Sequence, residues 1–169
     1  VSNKAFIEIY GQPMLSYIID ALASSPSVKK IIVVGPKVEL AGLLKGGYDF
    51  VFVPEVEGML KNIAAGLGEA DGDGPCLVLT GDIPLIDGDT IERFLKLCAP
   101  FDSDFCYPIV SRESCRESFP QMKRTYVRLR EGHFTGGNMA MLSPGWFTRS
   151  LARWYRLQHW LCCYWMQYV

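Results

Sequence analysis

The sequence predicts an α/β fold of three layers, in which helices cover both faces of a mixed, mostly parallel sheet. Two observations support this prediction. Helical and strand-like apolar patterns alternate along the first half of the 169-residue chain at the spacing of βαβ units. The second half contains short segments of alternating polarity, which are typical of antiparallel strands. The length is that of one domain with its own core.

In the first half, helices carry apolar residues three and four positions apart, and strands are short β-branched runs. The predicted elements are, in order, a helix from Met14 to Leu22, a strand over 30–35, a helix from Val38 to Leu44, a strand over 50–54, a helix from Met59 to Gly68 and a strand over 76–80. Pro13 opens the first helix, and Pro26 follows its end. The glycines at 46 and 47 close the second helix.

The second half is less regular. A helical face runs from Ile91 to Cys98, and Asp87 or Asp89 is placed to cap it. The remaining predicted elements are a strand over 103–111 interrupted by Pro108, a strand over 125–130, a turn at 131–133, a strand over 137–142 and a helix from Pro144. Because proline cannot donate a ladder hydrogen bond, Pro108 predicts an edge strand or a bulge.

Charge and cysteine content exclude several classes of function. The chain has 17 basic and 18 acidic residues and a net charge of -1, so no overall field attracts nucleic acid or an anionic membrane. No run reaches the roughly 20 apolar residues of a membrane-spanning helix. The six cysteines form no CxxC pair, which predicts reduced thiols in a cytoplasmic protein. No feature of the sequence indicates an oligomeric state.

The segment Gly81-Asp82-Ile83-Pro84-Leu85 follows the apolar strand over 76–80. Open α/β sheets bind their ligands at the carboxyl ends of strands. Gly81 would allow the chain to turn, and Asp82 would offer hard oxygen ligands to Mg²⁺. The structural alternative is an ordinary strand-to-helix turn with a capping Asp.

Three ordered segments together resemble the NTP-transferase superfamily, which includes sugar-1-phosphate nucleotidyltransferases and molybdenum-cofactor guanylyltransferases. They are residues 4–15 (KAFIEIYGQPML), residues 81–85 (GDIPL) and residues 135–138 (TGGN). The resemblance implies a Rossmann-like nucleotide-diphospho-sugar transferase fold, with a nucleotidyltransferase-like domain over residues 1–156. Residues 157–169 form an aromatic and Cys-rich tail, which is a buried closing helix, a partner-binding or membrane-surface stripe, or a stretch translated out of frame.

The resemblance also implies an activity. Such enzymes move an NMP group from an NTP to a phosphorylated small-molecule acceptor, release pyrophosphate and require Mg²⁺. Guanylyl transfer to a molybdopterin cofactor and cytidylyl or other transfer to another phosphorylated compound both remain open. Neither nucleic acid nor a membrane is expected as a partner.

Site residues follow from the same resemblance. Lys4 matches a basic residue that contacts phosphates, and its structural alternative is a solvated lysine. Asp82 matches the metal ligand, and Asn138 is the best match to a second ligand, with an αL turn residue as the alternative. The predicted nucleotide-binding residues are Pro54, Gly58, Asn62 and Gly81. A plain helix N-terminus is the alternative for the segment from Pro54 to Asn62.

One departure from the family pattern concerns the amino terminus. Family members usually begin with a strand and a Gly-rich loop that wraps the triphosphate, and this chain starts after that loop. We therefore expect an amino-terminal truncation, unpaired edges on the strands at 31–34 and 77–80, and little or no activity in the chain as it stands.

Two rival functions come from this departure and from the fold. The chain could be an inactive or regulatory remnant that binds nucleotides or sugar phosphates. The second rival is a glycosyltransferase of the related nucleotide-sugar fold. Such enzymes normally present Asp-x-Asp to their metal, and here Pro84 takes the place of the second Asp, which counts against this function.

Overall fold

A computed structural model describes residues 3–72 and 74–150 of the chain. In chain order, the elements are a 3₁₀ helix Lys4–Phe6, β1 Glu8–Ile9, β2 Gln12–Pro13, α1 Met14–Ser24, β3 Ile32–Gly35, α2 Lys37–Lys45, β4 Val51–Pro54, α3 Met59–Gly68, β5 Cys76–Leu79, α4 Gly88–Cys98, β6 Phe105–Cys106, β7 Ile109–Ser111, α5 Arg112–Ser118, β8 Val127–Leu129, β9 Gly132–Gly136 and β10 Met139–Leu142. A further helical stretch covers residues 144–150. The α/β class and the alternation over the first half are as predicted.

These elements belong to two compact units. The first contains residues 3–25 and 77–141, and the second contains residues 26–72, 74–76 and 142–150. The strands form four small sheets, with the orders β1-β2, β3-β4, β5-β10-β6 and β7-β9-β8. Parallel pairing joins β3 to β4, whereas β1-β2, β7-β9 and β8-β9 pair antiparallel.

In the second unit, β3 and β4 pair in register from Ile32 opposite Val51 to Gly35 opposite Pro54. Helix α3 packs closely on β3, because a Cβ added at Gly66 would lie 3.0 Å from Cγ2 of Val34. The apolar residues of α3 recur at the helical period and therefore form one face, which packs on β3.

In the first unit, α1 packs against α4. The hydroxyl of Ser25 donates to the Glu92 carboxylate, and a Cβ added at Gly88 would lie 2.5 Å from Oγ of Ser24. Helix α4 begins at a capping Asp87, whose Oδ1 accepts a hydrogen bond from Thr90 N at 2.7 Å. Of the two predicted caps, the structure therefore selects Asp87.

Strand β5 lies at one end of the order β5-β10-β6, and its four residues are half-buried. The half-burial of this apolar strand follows from its edge position, since one neighbour covers a strand less than two; the sequence predicted an unpaired edge here. Leu77 of β5 and Cys106 of β6 pack against a buried cluster formed by Phe94, Cys98 and Met141.

The predicted strand over 103–111 is divided at Pro108. Its first part, β6, joins β10, and its second part, β7, pairs with β9. Proline has no N–H to donate to a neighbouring strand, so the strand is interrupted here. The carbonyl of Pro108 still accepts a hydrogen bond from Gly137 N at 2.9 Å. The predicted turn at 131–133 lies at 130–131, and Gly132, with φ +143, already begins β9.

Three short elements were not predicted, and the first of them is the 3₁₀ helix Lys4–Phe6. The β1-β2 hairpin turns at Tyr10 and Gly11, whose φ angles are +50 and +79. Helix α5 is capped by Ser111 and has no buried residue, so its sequence lacks the apolar period of a packed helix. Within residues 3–72 and 74–150, no helix has both the length and the apolar composition needed to cross a bilayer. The aromatic tail over 157–169 lies outside the described residues.

Candidate active site

Asp82 lies in the turn that follows β5, and its side chain is exposed. Among the described residues it forms no ion pair and no side-chain hydrogen bond. The capping role that served as the structural alternative belongs to Asp87, five positions further along. Asp82 therefore offers a carboxylate to solvent in the turn that follows a strand.

Asn138 lies beside the same strand end. The backbone N–H of Thr80 donates to the carbonyl oxygen of Asn138 at 3.0 Å, so Asn138 is bonded to the residue two positions before Asp82. Its side chain is exposed and has no hydrogen-bond partner in the described part of the chain. Its φ is not positive, which excludes the αL turn residue as its structural role.

The two glycines before Asn138 provide room rather than unusual backbone angles. Neither Gly136 nor Gly137 has a positive φ. A Cβ at Gly136 would clash with the Tyr107 hydroxyl oxygen, and one at Gly137 would lie 2.8 Å from Cγ of Pro108. The pair Tyr107-Pro108 thus packs directly on the backbone that leads to Asn138.

Sequence reasoning missed Tyr107. Its hydroxyl donates to the carbonyl oxygen of Gly137 at 2.8 Å across a separation of 30 residues. The double glycine at 136–137 is a signal that something approaches the backbone closely. It does not identify the approaching residue.

Lys4 opens the 3₁₀ helix Lys4–Phe6, which Asn3 caps by accepting from Ala5 N at 3.1 Å. Ala5 is buried, and a Cβ added at Gly81 would lie 3.1 Å from its Cβ. Gly81 has no positive φ, so its absent side chain allows the 3₁₀ helix to approach rather than allowing an unusual turn. The exposed Lys4 is consequently next in sequence to a residue that packs beside Asp82.

The hydrogen bond from Thr80 to Asn138 and the packing of Ala5 on Gly81 link the segments that carry Lys4, Asp82 and Asn138, all in the first unit. A carboxylate and an amide oxygen are both ligands that suit Mg²⁺, and neither is engaged elsewhere in the described residues. The donor set therefore fits a magnesium ion that keeps water or substrate oxygens. No group of three or more His, Cys, Asp or Glu side chains is placed to hold a metal within the described ranges.

Pro54, Gly58 and Asn62 lie in the second unit. Pro54 ends β4, and Gly58 is the N-cap of α3 with φ +98, an angle that favours glycine. Oδ1 of Asn62 accepts a hydrogen bond from Val56 N at 2.7 Å. Asn62 thus orders the connection between β4 and α3, a role that the sequence did not predict.

The chain is similar to known proteins in sequence and in fold. The sequence model of the MobA-like NTP transferase domain matches residues 1–161. The bifunctional protein GlmU of Paramagnetospirillum magneticum is 35% identical over 95 residues, which are 54% of this chain and 21% of that protein. GlmU of Lactococcus lactis is also 35% identical over 95 residues, with 53% and 20% covered. The matches span about a fifth of these relatives.

Solved structures show the same fold. A hypothetical transferase from Thermus thermophilus has a TM-score of 0.77 and 34% identity, and the match covers 93% of this chain and 63% of that one. A CMP:2-keto-3-deoxy-manno-octonic acid synthetase complexed with CTP has a TM-score of 0.67 at 12% identity, with 90% and 72% covered. At such low identity the second likeness concerns the fold alone. Together they confirm the predicted Rossmann-like transferase fold.

Proposed function

Because this chain belongs to the MobA-like NTP transferase domain family, we propose that it moves a nucleoside monophosphate group from an NTP to a phosphorylated small-molecule acceptor and releases pyrophosphate. One observation carries the proposal. The exposed side chains of Asp82 and Asn138 lie at one strand end, joined through the hydrogen bond from Thr80 to Asn138.

The reaction forms one P–O bond and breaks another. A phosphate oxygen of the acceptor attacks the α-phosphorus of the NTP, and the bond to the bridging oxygen of pyrophosphate breaks. Both reactants are anionic, so the protein must position them and neutralise their charge. Lys4 supplies one positive charge to these phosphates.

Asp82 and Asn138 are the residues that would hold Mg²⁺. When bound, the ion neutralises phosphate charge and acts as a Lewis acid. The Asp82 carboxylate contributes a full negative charge and the Asn138 amide contributes a neutral oxygen. Such a pair would suit a divalent cation that also binds phosphate oxygens and water.

Binding of the base is assigned to the segment from Pro54 to Asn62. Since Oδ1 of Asn62 accepts from Val56, this side chain presents its two Nδ2 hydrogens to an acceptor atom on a nucleobase. Gly58 has no side chain and has open space around its Cα, which would allow a base to lie close to the backbone. Gly81, which precedes Asp82, remains a proposed contact to the nucleotide through its backbone. The identity of the base and of the acceptor is left to experiment, and the cytoplasmic location stays a prediction from the sequence.

Pyrophosphate release tests this function. The protein is incubated with Mg²⁺, each of the four NTPs and a panel of sugar-1-phosphates and other phosphorylated acceptors. Release with one NTP and one acceptor class, however slow, supports the proposal. Asp82→Asn should lower kcat/KM by about 100-fold or more, because the charged metal ligand is lost.

Asp20→Asn is the matched control, since Asp20 is an exposed carboxylate on α1 in the same unit. It should leave kcat/KM unchanged. Undiminished activity in Asp82→Asn would contradict the metal assignment. Nucleotide binding by calorimetry without any turnover would instead favour a regulatory remnant, and release of a nucleoside diphosphate from a nucleotide sugar would favour a glycosyltransferase.

A further inference from the structure

Three hydrogen bonds hold the three consecutive peptide groups around Asn138. Gly137 N donates to the carbonyl of Pro108 at 2.9 Å, the Tyr107 hydroxyl donates to the carbonyl of Gly137 at 2.8 Å, and Thr80 N donates to the carbonyl of Asn138 at 3.0 Å. Two of these donors are backbone groups. The third donor is the hydroxyl of the Tyr107 side chain. Only this hydrogen bond of the three therefore depends on the identity of the donor residue.

The Tyr107 ring is itself held in place. A Cβ at Gly136 would lie 2.8 Å from its Cζ and 2.9 Å from its Cε1, so the ring packs directly on this backbone. It also stacks on Phe105, with centroids 6.0 Å apart and an interplanar angle of 17°. Both rings remain partly exposed, at 47% for Tyr107 and 42% for Phe105. A hydroxyl on a ring fixed in this way has a defined direction.

We propose that Tyr107 is a positioning residue for Asn138. By fixing the peptide group between Gly137 and Asn138, its hydroxyl sets the direction in which the Asn138 side chain leaves the backbone. Without the hydroxyl, only the two adjacent peptide groups keep their hydrogen bonds, through Gly137 N and the carbonyl of Asn138. The peptide group between Gly137 and Asn138 can then rotate. The part of the inference that concerns Mg²⁺ rests on the proposed function.

The test is Tyr107→Phe, which keeps the ring and removes one hydroxyl. Tyr17→Phe is the matched control, because the Tyr17 hydroxyl donates to the carbonyl of Ile9 at 2.6 Å elsewhere in the same unit. Two quantities are measured: the NMR signal of the Asn138 side-chain amide, assigned by its loss in Asn138→Ala, and the Mg²⁺ concentration for half-maximal pyrophosphate release.

Tyr107→Phe should shift or broaden the Asn138 signal and raise the required Mg²⁺ concentration about three- to tenfold, the effect of one hydrogen bond. The KM for the acceptor should not change, because Tyr107 acts through Asn138. Tyr17→Phe should alter neither quantity. Equal Tm values for the two variants would exclude a general loosening of the unit as the cause.

Each other outcome has a separate meaning. An unchanged Asn138 signal in Tyr107→Phe overturns the positioning role. If Asn138→Ala raises the Mg²⁺ requirement and Tyr107→Phe does not, the positioning role is again overturned while the proposed function stands. If the signal changes in Tyr107→Phe but Asn138→Ala leaves the Mg²⁺ requirement unaltered, Tyr107 positions Asn138 and the metal assignment of the proposed function fails.

Discussion

The backbone N–H of Thr80 donates to the carbonyl oxygen of Asn138 at 3.0 Å. This bond joins the TGGN segment to the residue directly before GDIPL, just after the end of β5. It also explains why the Asp82 carboxylate and the Asn138 amide occur at one place. No other described group binds either side chain. Two oxygen donors that share one cation should not act independently.

A double-mutant cycle tests this dependence. Asp82→Asn and Asn138→Ala should each reduce kcat/KM, and the double variant should lose little more than the worse single variant, because the shared ion is already lost. The measurement is kcat/KM for all four proteins at one Mg²⁺ concentration. Multiplicative losses would mean that the two side chains serve different groups.

Gly58 carries a second prediction. At φ +98 and ψ 139 its backbone is in a region that L side chains rarely adopt, so Gly58→Ala should lower the free energy of unfolding by about 1–3 kcal/mol. A Cβ there meets nothing within 4 Å, which makes backbone strain the cause rather than a clash. Urea unfolding measures the effect.

Gly68→Ala is the control for that substitution. Gly68 is the last residue of the same helix, has open space around its Cα and has no positive φ. This change should be neutral or slightly stabilising, because alanine restricts the unfolded chain more than glycine does. A similar loss in both variants would show that α3 tolerates no added methyl group, and would contradict the strain argument.

The sequence predicted those parts of the fold that depend on local patterns. Each of these elements is encoded within a single short stretch of sequence, so its position could be inferred with small errors. They are the helices α1, α3 and α4, which have apolar faces, and the short β-branched strands β3 and β4. Asp82 could be placed for the same reason, because Gly81-Asp82 directly follows a strand.

Long-range pairing could not be predicted in this way. Nothing in the pattern states that Tyr107 approaches Gly136, or that Pro108 divides one apolar segment between two sheets. The short helix α5 was missed because it buries no residue and therefore has no apolar period. Asn62 was predicted as a ligand to the base, but its bond to Val56 depends on how the loop closes.

The N-cap of α4 gives a third prediction. Hydrogen bonds from Thr90 to the Asp87 carboxylate lower the pKa of Asp87, so the charged carboxylate stabilises the folded state. Asp87→Ala should therefore lower Tm by a few degrees at pH 7. Because the folded pKa is depressed, this advantage over the variant is present above pH 3.8 and is lost as the pH falls through the folded pKa.

Asp89→Ala provides the comparison. Asp89 lies in the first turn of the same helix and interacts favourably with the helix dipole, but it does not cap it. Its removal should lower Tm by less than the removal of Asp87. Thermal unfolding followed by circular dichroism at pH 7 and pH 3 ranks the two variants, and a larger effect at Asp89 would contradict the assignment of the cap.

The thiol of Cys98 gives a fourth prediction, which concerns high pH. Burial, followed by the hydrogen bond and the charge of Cys106, raises the pKa of Cys98 from 9.0 to about 11. The unfolded chain therefore loses this proton at a lower pH than the folded protein does. Stability that depends on the neutral thiol is fully present below pH 9 and is lost as the pH rises towards 11.

Cys98→Ala isolates this effect. The alanine leaves a small cavity beside Phe94 and Met141, so the variant should be less stable than the wild type at pH 8. The difference in free energy of unfolding should then shrink between pH 9 and pH 11, because only the wild type has this thiol to ionise. Cys106→Ala should retain part of the pH dependence, since burial raises the pKa of Cys98 more than the neighbouring Cys106 does. Urea unfolding at four pH values measures all three proteins, and parallel curves would show that the Cys98 thiol titrates alike in the folded and unfolded states.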